Sequence, residues 1–520
     1  MQKKNYEGMH WSDQTARKVI EEKGDKKEYV CASGITPSGV VHIGNFREII
    51  TVDIVARALK KLGKKVRFIY SWDDYDVFRK VPKGFPQQEE LKKELRKPIV
   101  DVFDAYGEDE NYARHNESEI ERLLPIVGIK PEFIYQSKMY RSCKYKEGMK
   151  KALEGADDIK IILNEFREEP LGNEWLPISI FDPDTKTDEI SNIKYLGGYR
   201  VSYKDKKGKL KEFDFSREGR AKLLWRIDWP MRWAYEKVDF EPGGKDHSSP
   251  GGSYDTAKEI VKIYDWTAPT YIMYDFIRIK GAGGKISSSS GNVITLKEVL
   301  EVYQPEIVRY MFAGTRPGTE FAISFDLDVI KIYEDFDNLE RVYFGKEEVN
   351  PRERENAKVA YELSCIGNVS KKLPVQFGFR HLIDLIQLYN FGKIKDYYKL
   401  KSKDDIERLN IRVECVKNWL GRYAPDYMKF KINDKVSMKL NDKQKKLVRI
   451  VKDKLEKNKY TQDSLHNEFY NIIKENNFNT EEFFELFYGI LISKERGPKL
   501  SSLILEVGVK KVIELLNQIK

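Results

Sequence analysis

The residues best suited to chemistry lie in two stretches, SGITPSGVVHIGN at 33–45 and KGAGGKISSSSGN at 280–292. Each sets glycines, which let backbone approach a phosphate closely, beside groups that can hold negative charge. His42 and Asn45 supply them in the first stretch; Lys280, Lys285 and the serines Ser287, Ser288 and Ser289 supply them in the second. Fixed donors and cations of this kind suit nucleotidyl transfer, in which negative charge grows on phosphate oxygens.

The elements that must position these residues can be read from the flanking periodicity. Residues 29–33 form a short apolar strand, 34–39 a tight glycine loop, and 45–61 a helix with Phe46, Ile49, Ile50, Ile54, Val55, Ala58 and Leu59 on its buried side. Gly63 ends the helix, and a second apolar strand at 66–71 closes on Trp72, Asp73 and Asp74. A strand–loop–helix–strand crossover builds a parallel sheet, and ligands on such sheets bind at the carboxyl ends of the strands. His42 and Asn45, three apart at the helix start, can face one phosphate group there. A single histidine at this position would do no more than cap a helix; the surrounding glycines and the second stretch point to function. That second stretch sits between a strand-like run at 271–279 and a helix opening at Thr295 with Glu298 three residues on. Anchored at both ends, it reads as a flap over phosphates rather than a flexible linker.

HIGN at 42–45 and KISSS at 285–289 resemble the HIGH and KMSKS motifs of class I aminoacyl-tRNA synthetases. MHWSD at 9–13, ASGITPSGVVHIGNFRE at 32–48, WRIDWPMRWA at 225–234 and VDFEPGGKDHSSPGGSYDT at 238–256 most closely resemble the class I lysyl enzymes. The resemblance implies an α/β fold, with a Rossmann-like parallel-sheet catalytic domain at 1–84 and 221–330. It also implies an inserted mixed α/β region for acceptor-stem contact at 85–220 and an all-α anticodon-binding domain at 331–520. The implied activity is ATP-dependent activation of L-lysine and its transfer to tRNA(Lys), with Mg2+ accompanying ATP. A monomer in the cytoplasm is the expected state. Carried over residue by residue, His42, Asn45 and the amides of the helix start contact ATP phosphates. Lys285, Ser287, Ser288 and Ser289 clamp the pyrophosphate, and Gly34, Thr36, Trp225, His247 and Tyr274 line the lysine pocket. One departure stands out: Ser288 replaces the second lysine of KMSKS, leaving Lys280 as a candidate second cation.

A lysine site calls for acceptors for the terminal ammonium and aromatic walls for the methylene stem. WRIDWPMRW at 225–233 brings three tryptophans together with Asp228; Asp228, Asp73 and Asp74 all remain open as the ammonium partner. An anionic amino acid, as in a glutamate or glutamine enzyme, would call for a basic pocket instead. A non-catalytic RNA-binding relative, the reading Ser288 raises, would have little reason to keep His42, Asn45, Lys285 and His247.

Composition fits an intracellular RNA partner. A net charge of +9 over 520 residues is a modest basic excess, and the 41% hydrophobic content supports a sizeable core. The four cysteines, Cys31, Cys143, Cys365 and Cys415, form no CxxC pair, and no run approaches the roughly 18 apolar residues of a membrane helix. Many relatives resemble a zinc ribbon in the later part of the insertion. Here FDPD at 181–184 stands where the first cysteine pair would fall, so no structural zinc is expected and the piece must rest on hairpin pairing among WLPISIF, GGYRVSY and KLKEFDF. From about 330 onward the spacing is helical, with a lysine-dense stretch at 429–459. Tyr423, Tyr427, Phe430 and Trp419 are the aromatic residues there that could stack on exposed bases.

Overall fold

The computed structural model describes residues 8–280 and 293–519. It is a mixed α/β protein with a parallel sheet in its first part and an entirely helical C-terminal region. Two compact units are present: one holds residues up to 300 with 305–323 and 342–369, the other 301–304, 324–341 and 370–520.

In the first unit β1 (Glu28–Ile35) pairs in parallel with β2 (Lys65–Trp72), and β2 pairs with β3 (Glu132–Tyr135). The crossover from β1 to β2 is the helix Ile43–Lys61, longer at its start than the apolar spacing suggests because His42 and Asn45 cap it reciprocally. All seven apolar positions expected on its buried side are buried. β3 arises from within the stretch read as an insertion; four residues are too few to show periodicity. On the other side of β1 the sheet continues through short parallel bridges, Cys31 to Phe240 and Phe240 to Thr270. The Ala32 amide donates to the Phe240 carbonyl and the Thr270 amide to the Asp239 carbonyl, both at 2.8 Å. The chain therefore lays strands outward from β1 in one direction, then returns and adds strands in the other. The reversal beside β1 opens a crevice at the strands' carboxyl ends.

The insertion contains the three expected strands, Ile178–Ile180, Arg200–Lys204 and Leu210–Asp214, together with Ser191–Tyr195. Hairpin pairing is not its only support. Asp182, from the FDPD string, is buried and accepts from Tyr203 Oη (2.7 Å), Lys211 Nζ (2.6 Å) and the Asp184 and Thr185 amides. Burial alone would raise its pKa; these donors outweigh burial and hold it down to about 2. The strands also cover an apolar cluster with Val201, Tyr203, Phe213 and Phe215. Among the described residues no group of three or more His, Cys, Asp or Glu side chains is arranged to hold a metal ion.

The second unit is helical throughout. Its largest cluster joins the helices Asp442–Lys457, Gln462–Glu475, Thr480–Ile492, Leu500–Val507 and Val509–Leu516 through Val448, Phe469, Phe487, Leu503 and Leu515. Of the four aromatic residues offered for base stacking, Trp419 and Phe430 are buried, Trp419 donating to the Phe325 carbonyl at 2.9 Å. Tyr427 is exposed and Tyr423 half-buried. Trp419 and Phe430 are thus core residues, not aromatic faces open to bases. No described helix is long and apolar enough to cross a membrane.

Candidate active site

A cavity of about 530 Å³ occupies the crevice beside β1. Its first wall is the glycine loop. Gly34, next to last in β1, runs so close to β2 that a Cβ there would stand 3.0 Å from Ser71 Cβ and carbonyl oxygen, a contact that any side chain could make only by displacing β2. Thr36 follows, its hydroxyl donating to Asp76 Oδ2 at 2.9 Å. Asp76 is ion-paired to buried Lys222; burial works against its ionisation, but Lys222 and Thr36 prevail and its pKa falls below the ordinary value.

The second wall is the start of the helix Ile43–Lys61. The His42 ring accepts from the Gly44 amide (3.1 Å), and Asn45 Oδ1 accepts from the His42 amide (3.1 Å). Asn45 lines the cavity, while His42 is not among its lining residues. The backbone amides expected to meet phosphate are already engaged: Ile43 donates to Ile294, Gly44 to the His42 ring and Asn45 to the His42 carbonyl. These amides are therefore not open to an anion, and what the helix start presents to the cavity is the Asn45 side chain and the field of the helix dipole.

The third wall comes from the helix Trp225–Glu236 and the segment after it. Trp225, Trp229, Arg232 and Trp233 line the cavity with His247, whose ring sits 6.0 Å from Trp225 and 6.2 Å from Trp229. Tyr274 closes the far side. The five residues expected to form the lysine pocket, Gly34, Thr36, Trp225, His247 and Tyr274, are therefore all brought to one cavity.

The three aspartates separate. Asp74 is buried, accepts from the Ser137 amide and hydroxyl, and does not line the cavity. Asp228 is likewise buried away from it, held by Tyr140 and, at 3.3 Å, by Arg232. Asp73 does line the cavity, but Arg232 clamps both of its oxygens at 2.8 and 3.2 Å.

Three glutamates not singled out from the sequence also line the cavity, one of them, Glu236, ion-paired with Arg67 at 2.7 Å. Glu48 accepts from Ser33 Oγ (2.8 Å), the Gly34 amide (3.2 Å) and Tyr274 Oη (2.6 Å). Glu241 accepts from the indoles of Trp229 (3.0 Å) and Trp233 (2.6 Å). Burial raises both pKa values against these donors, that of Glu241 to about 7. A signal for Glu48 was present: it closes the ASGITPSGVVHIGNFRE string at 32–48, one turn beyond Asn45.

Lys285, Ser287, Ser288 and Ser289 lie outside the described residues. The chain on either side of them is fixed to the same helix start. Arg47, buried, donates to the carbonyls of Asp275, Phe276, Arg316, Pro317 and Thr319 at 2.7 to 3.3 Å. The Lys280 amide donates to the Ile323 carbonyl, and the Ile43 amide to that of Ile294. Thr295 and Glu298 form the expected cap on the helix Leu296–Val302.

The model of the family "tRNA synthetases class I (K)" matches residues 9–366. The chain belongs to this family. The synthetase is similar along almost its whole length to proteins named lysine–tRNA ligase. It is 50% identical to that of Borreliella burgdorferi (96% of this chain, 98% of the relative) and 43% identical to that of Treponema pallidum (98% of each). Identity to the one from Thermococcus kodakarensis is 42%, over 98% of this chain and 99% of the relative. As a class I tRNA synthetase it uses ATP to activate an amino acid for ligation to tRNA.

Proposed function

We propose that this synthetase ligates L-lysine to tRNA(Lys). The lysine carboxylate attacks the α-phosphorus of ATP, the bond to the bridging oxygen breaks and pyrophosphate leaves. A hydroxyl of the terminal adenosine of tRNA then attacks the activated carbonyl, and AMP leaves. The supporting observation is one cavity that joins a nucleotide-type helix start, through Asn45, to tryptophan walls and buried carboxylates suited to a cationic side chain.

In this reading Asn45 and His42 orient the triphosphate at the positive end of the helix dipole, and Lys285 with Ser287, Ser288 and Ser289 stabilises the leaving pyrophosphate. Gly34, Thr36, Trp225, His247 and Tyr274 hold the amino acid. Asp73 takes part as a fixed partner of Arg232, setting the charge of the cavity floor. Mg2+ enters on the phosphate oxygens of ATP, where it neutralises charge on the leaving group. Residues 85–220 contact the acceptor stem and the helical unit reads the anticodon. The protein acts as a monomer in the cytoplasm.

Exchange of labelled pyrophosphate into ATP, run with each amino acid in turn with and without tRNA, tests the reading. Lysine alone should support exchange; exchange with glutamate or glutamine instead, or with none, overturns it.

A further inference from the structure

A second cavity, of about 490 Å³, adjoins the first: Thr36, Ser38, Asp76 and Trp225 line both, while Asn45 lines only the first. The cations of this second cavity fall into two kinds. Lys222 is ion-paired with Asp76, and Arg96 with Asp188 at 2.7 Å, so the acids that line it are already neutralised. Arg79 and Lys80 are exposed and make no hydrogen bond or ion pair among the described residues. The backbone that carries them is nevertheless fixed. The Phe78 amide donates to the Lys97 carbonyl at 2.8 Å, the Arg96 amide returns to the Phe78 carbonyl at 2.9 Å, and the Phe78 ring is buried. Two uncompensated cations beside walls that include Phe78, Leu223 and Leu224 call for a ligand that joins negative charge to flat, largely apolar groups.

Resting on the lysine reading above, we infer that this second cavity seats the single-stranded 3′ end of tRNA(Lys), Arg79 and Lys80 taking backbone phosphates of its last nucleotides and Trp225 the face of a base. In the transfer step a hydroxyl must reach the aminoacyl carbonyl while AMP still fills the helix-start side of the first cavity. The tRNA end therefore needs its own approach to the same carbonyl. The second cavity offers one, because it shares Thr36 and Trp225 with the amino-acid pocket but does not share Asn45. Its wall also includes Ser179 and Asp188 of the insertion, the region that meets the acceptor stem in that reading. Phosphate and stacking contacts hold a strand in place without reading its bases, which is the grip that a reacting end requires.

The test compares a complete tRNA(Lys) transcript with one lacking its last three nucleotides, by equilibrium filter binding to the full chain over a range of salt concentrations. The wild type should bind the complete transcript more tightly. In Arg79→Ala/Lys80→Ala that preference should fall by roughly tenfold or more, and the slope of log affinity against log salt on the complete transcript should drop by about 1.4, two phosphates at about 0.7 each for a single strand. Affinity for the shortened transcript, for ATP and for lysine should not move. Both side chains are exposed and unpartnered, so the thermal midpoint should hold. Lys83→Ala, on the same loop but outside the cavity, is the control and should keep the preference. Equal weakening of both transcripts would place the two cations on the stem and overturn the assignment. A wild type that binds both transcripts alike, a preference that survives the double substitution, weakened ATP binding, or the same loss in Lys83→Ala would also overturn it. Failure of the lysine reading itself would show separately, as a wild-type protein that does not bind lysine or that binds tRNA(Lys) no better than an unrelated tRNA.

Discussion

The amide of Ile43 donates to the carbonyl of Ile294 at 2.8 Å, tying the first turn of the helix after His42 to the chain that follows the KISSS stretch. Arg47, one turn further on, holds the carbonyls of Asp275 and Phe276 ahead of that stretch. Both sides of the segment bearing Lys285 are thus fastened to the first two turns of one helix. The described flanks of a segment remote in sequence are joined to this helix through backbone carbonyls.

Arg47→Ala leaves five carbonyls without their charged donor. We expect a loss of about 3 kcal/mol in unfolding free energy by denaturant titration, together with slower lysine-dependent pyrophosphate exchange. Arg47→Lys, which offers a point charge in place of a planar fork, should recover part of the stability. Wild-type stability in the alanine variant would refute the anchoring role.

His42 caps the helix and is proposed to orient phosphate, and the two roles can be separated. Asparagine is a good N-cap, so His42→Asn should keep stability near wild type while His42→Ala loses about 1 kcal/mol. Exchange should fall at least tenfold in both variants. Full exchange activity in His42→Asn would reduce the histidine to a cap.

Glu241 gives a pH dependence with a definite sign. Its folded-state pKa, raised by burial to about 7, exceeds the ordinary 4.5, so the folded protein without ligand binds more protons than the unfolded chain between these values and loses stability as pH rises through that window. The groups facing it are the Trp229 and Trp233 indoles, Glu48, Arg232, Tyr254 and Tyr271. Denaturant titration across pH 4.5 to 7 should show this fall in stability, and Glu241→Gln should flatten the profile; a wild-type stability that does not change over that window would contradict the raised pKa.

In the insertion, Lys211 pairs with buried Asp182 at 2.6 Å and ties the hairpin strands to the FDPD string. Treatment with EDTA or 1,10-phenanthroline should leave the thermal midpoint unchanged, whereas Asp182→Ala should lower it and expose the region around Phe213 to limited proteolysis. Because the folded-state pKa of Asp182 is depressed, its contribution is complete above the ordinary 3.8 and disappears as pH falls towards about 2. A chelator-induced drop in midpoint would contradict this account.

Much of the site was legible in the chain itself. Glycine needs no neighbour to reveal that backbone will approach closely at Gly34, and the spacing of Phe46, Ile49 and Ile50 declares a helix with one buried side. His42 and Asn45 could be placed because each lies within a few residues of such a signal, whereas Trp225 was placed by the resemblance of the WRIDWPMRWA string. The aspartates could not be sorted this way. Asp228 and Asp74 look as available as Asp73 in the sequence, yet Tyr140 and Ser137, both distant along the chain, take them out of the cavity. Trp419 misled for the same reason, since the helical spacing that marks an aromatic residue says nothing of whether another helix covers it.

The sequence by itself determined the crossover, the glycine loop, the helical character of the C-terminal part and the family, because these depend on local periodicity, backbone permission and strings of adjacent residues. Tertiary structure alone decided which charges are neutralised. Asp73 and Asp76 acquire Arg232 and Lys222, while Glu48 and Glu241 meet only neutral donors. A carboxylate's role is fixed by the charges and solvent within a few ångströms, and those neighbours are brought together only when the strands on either side of β1 fold into one sheet.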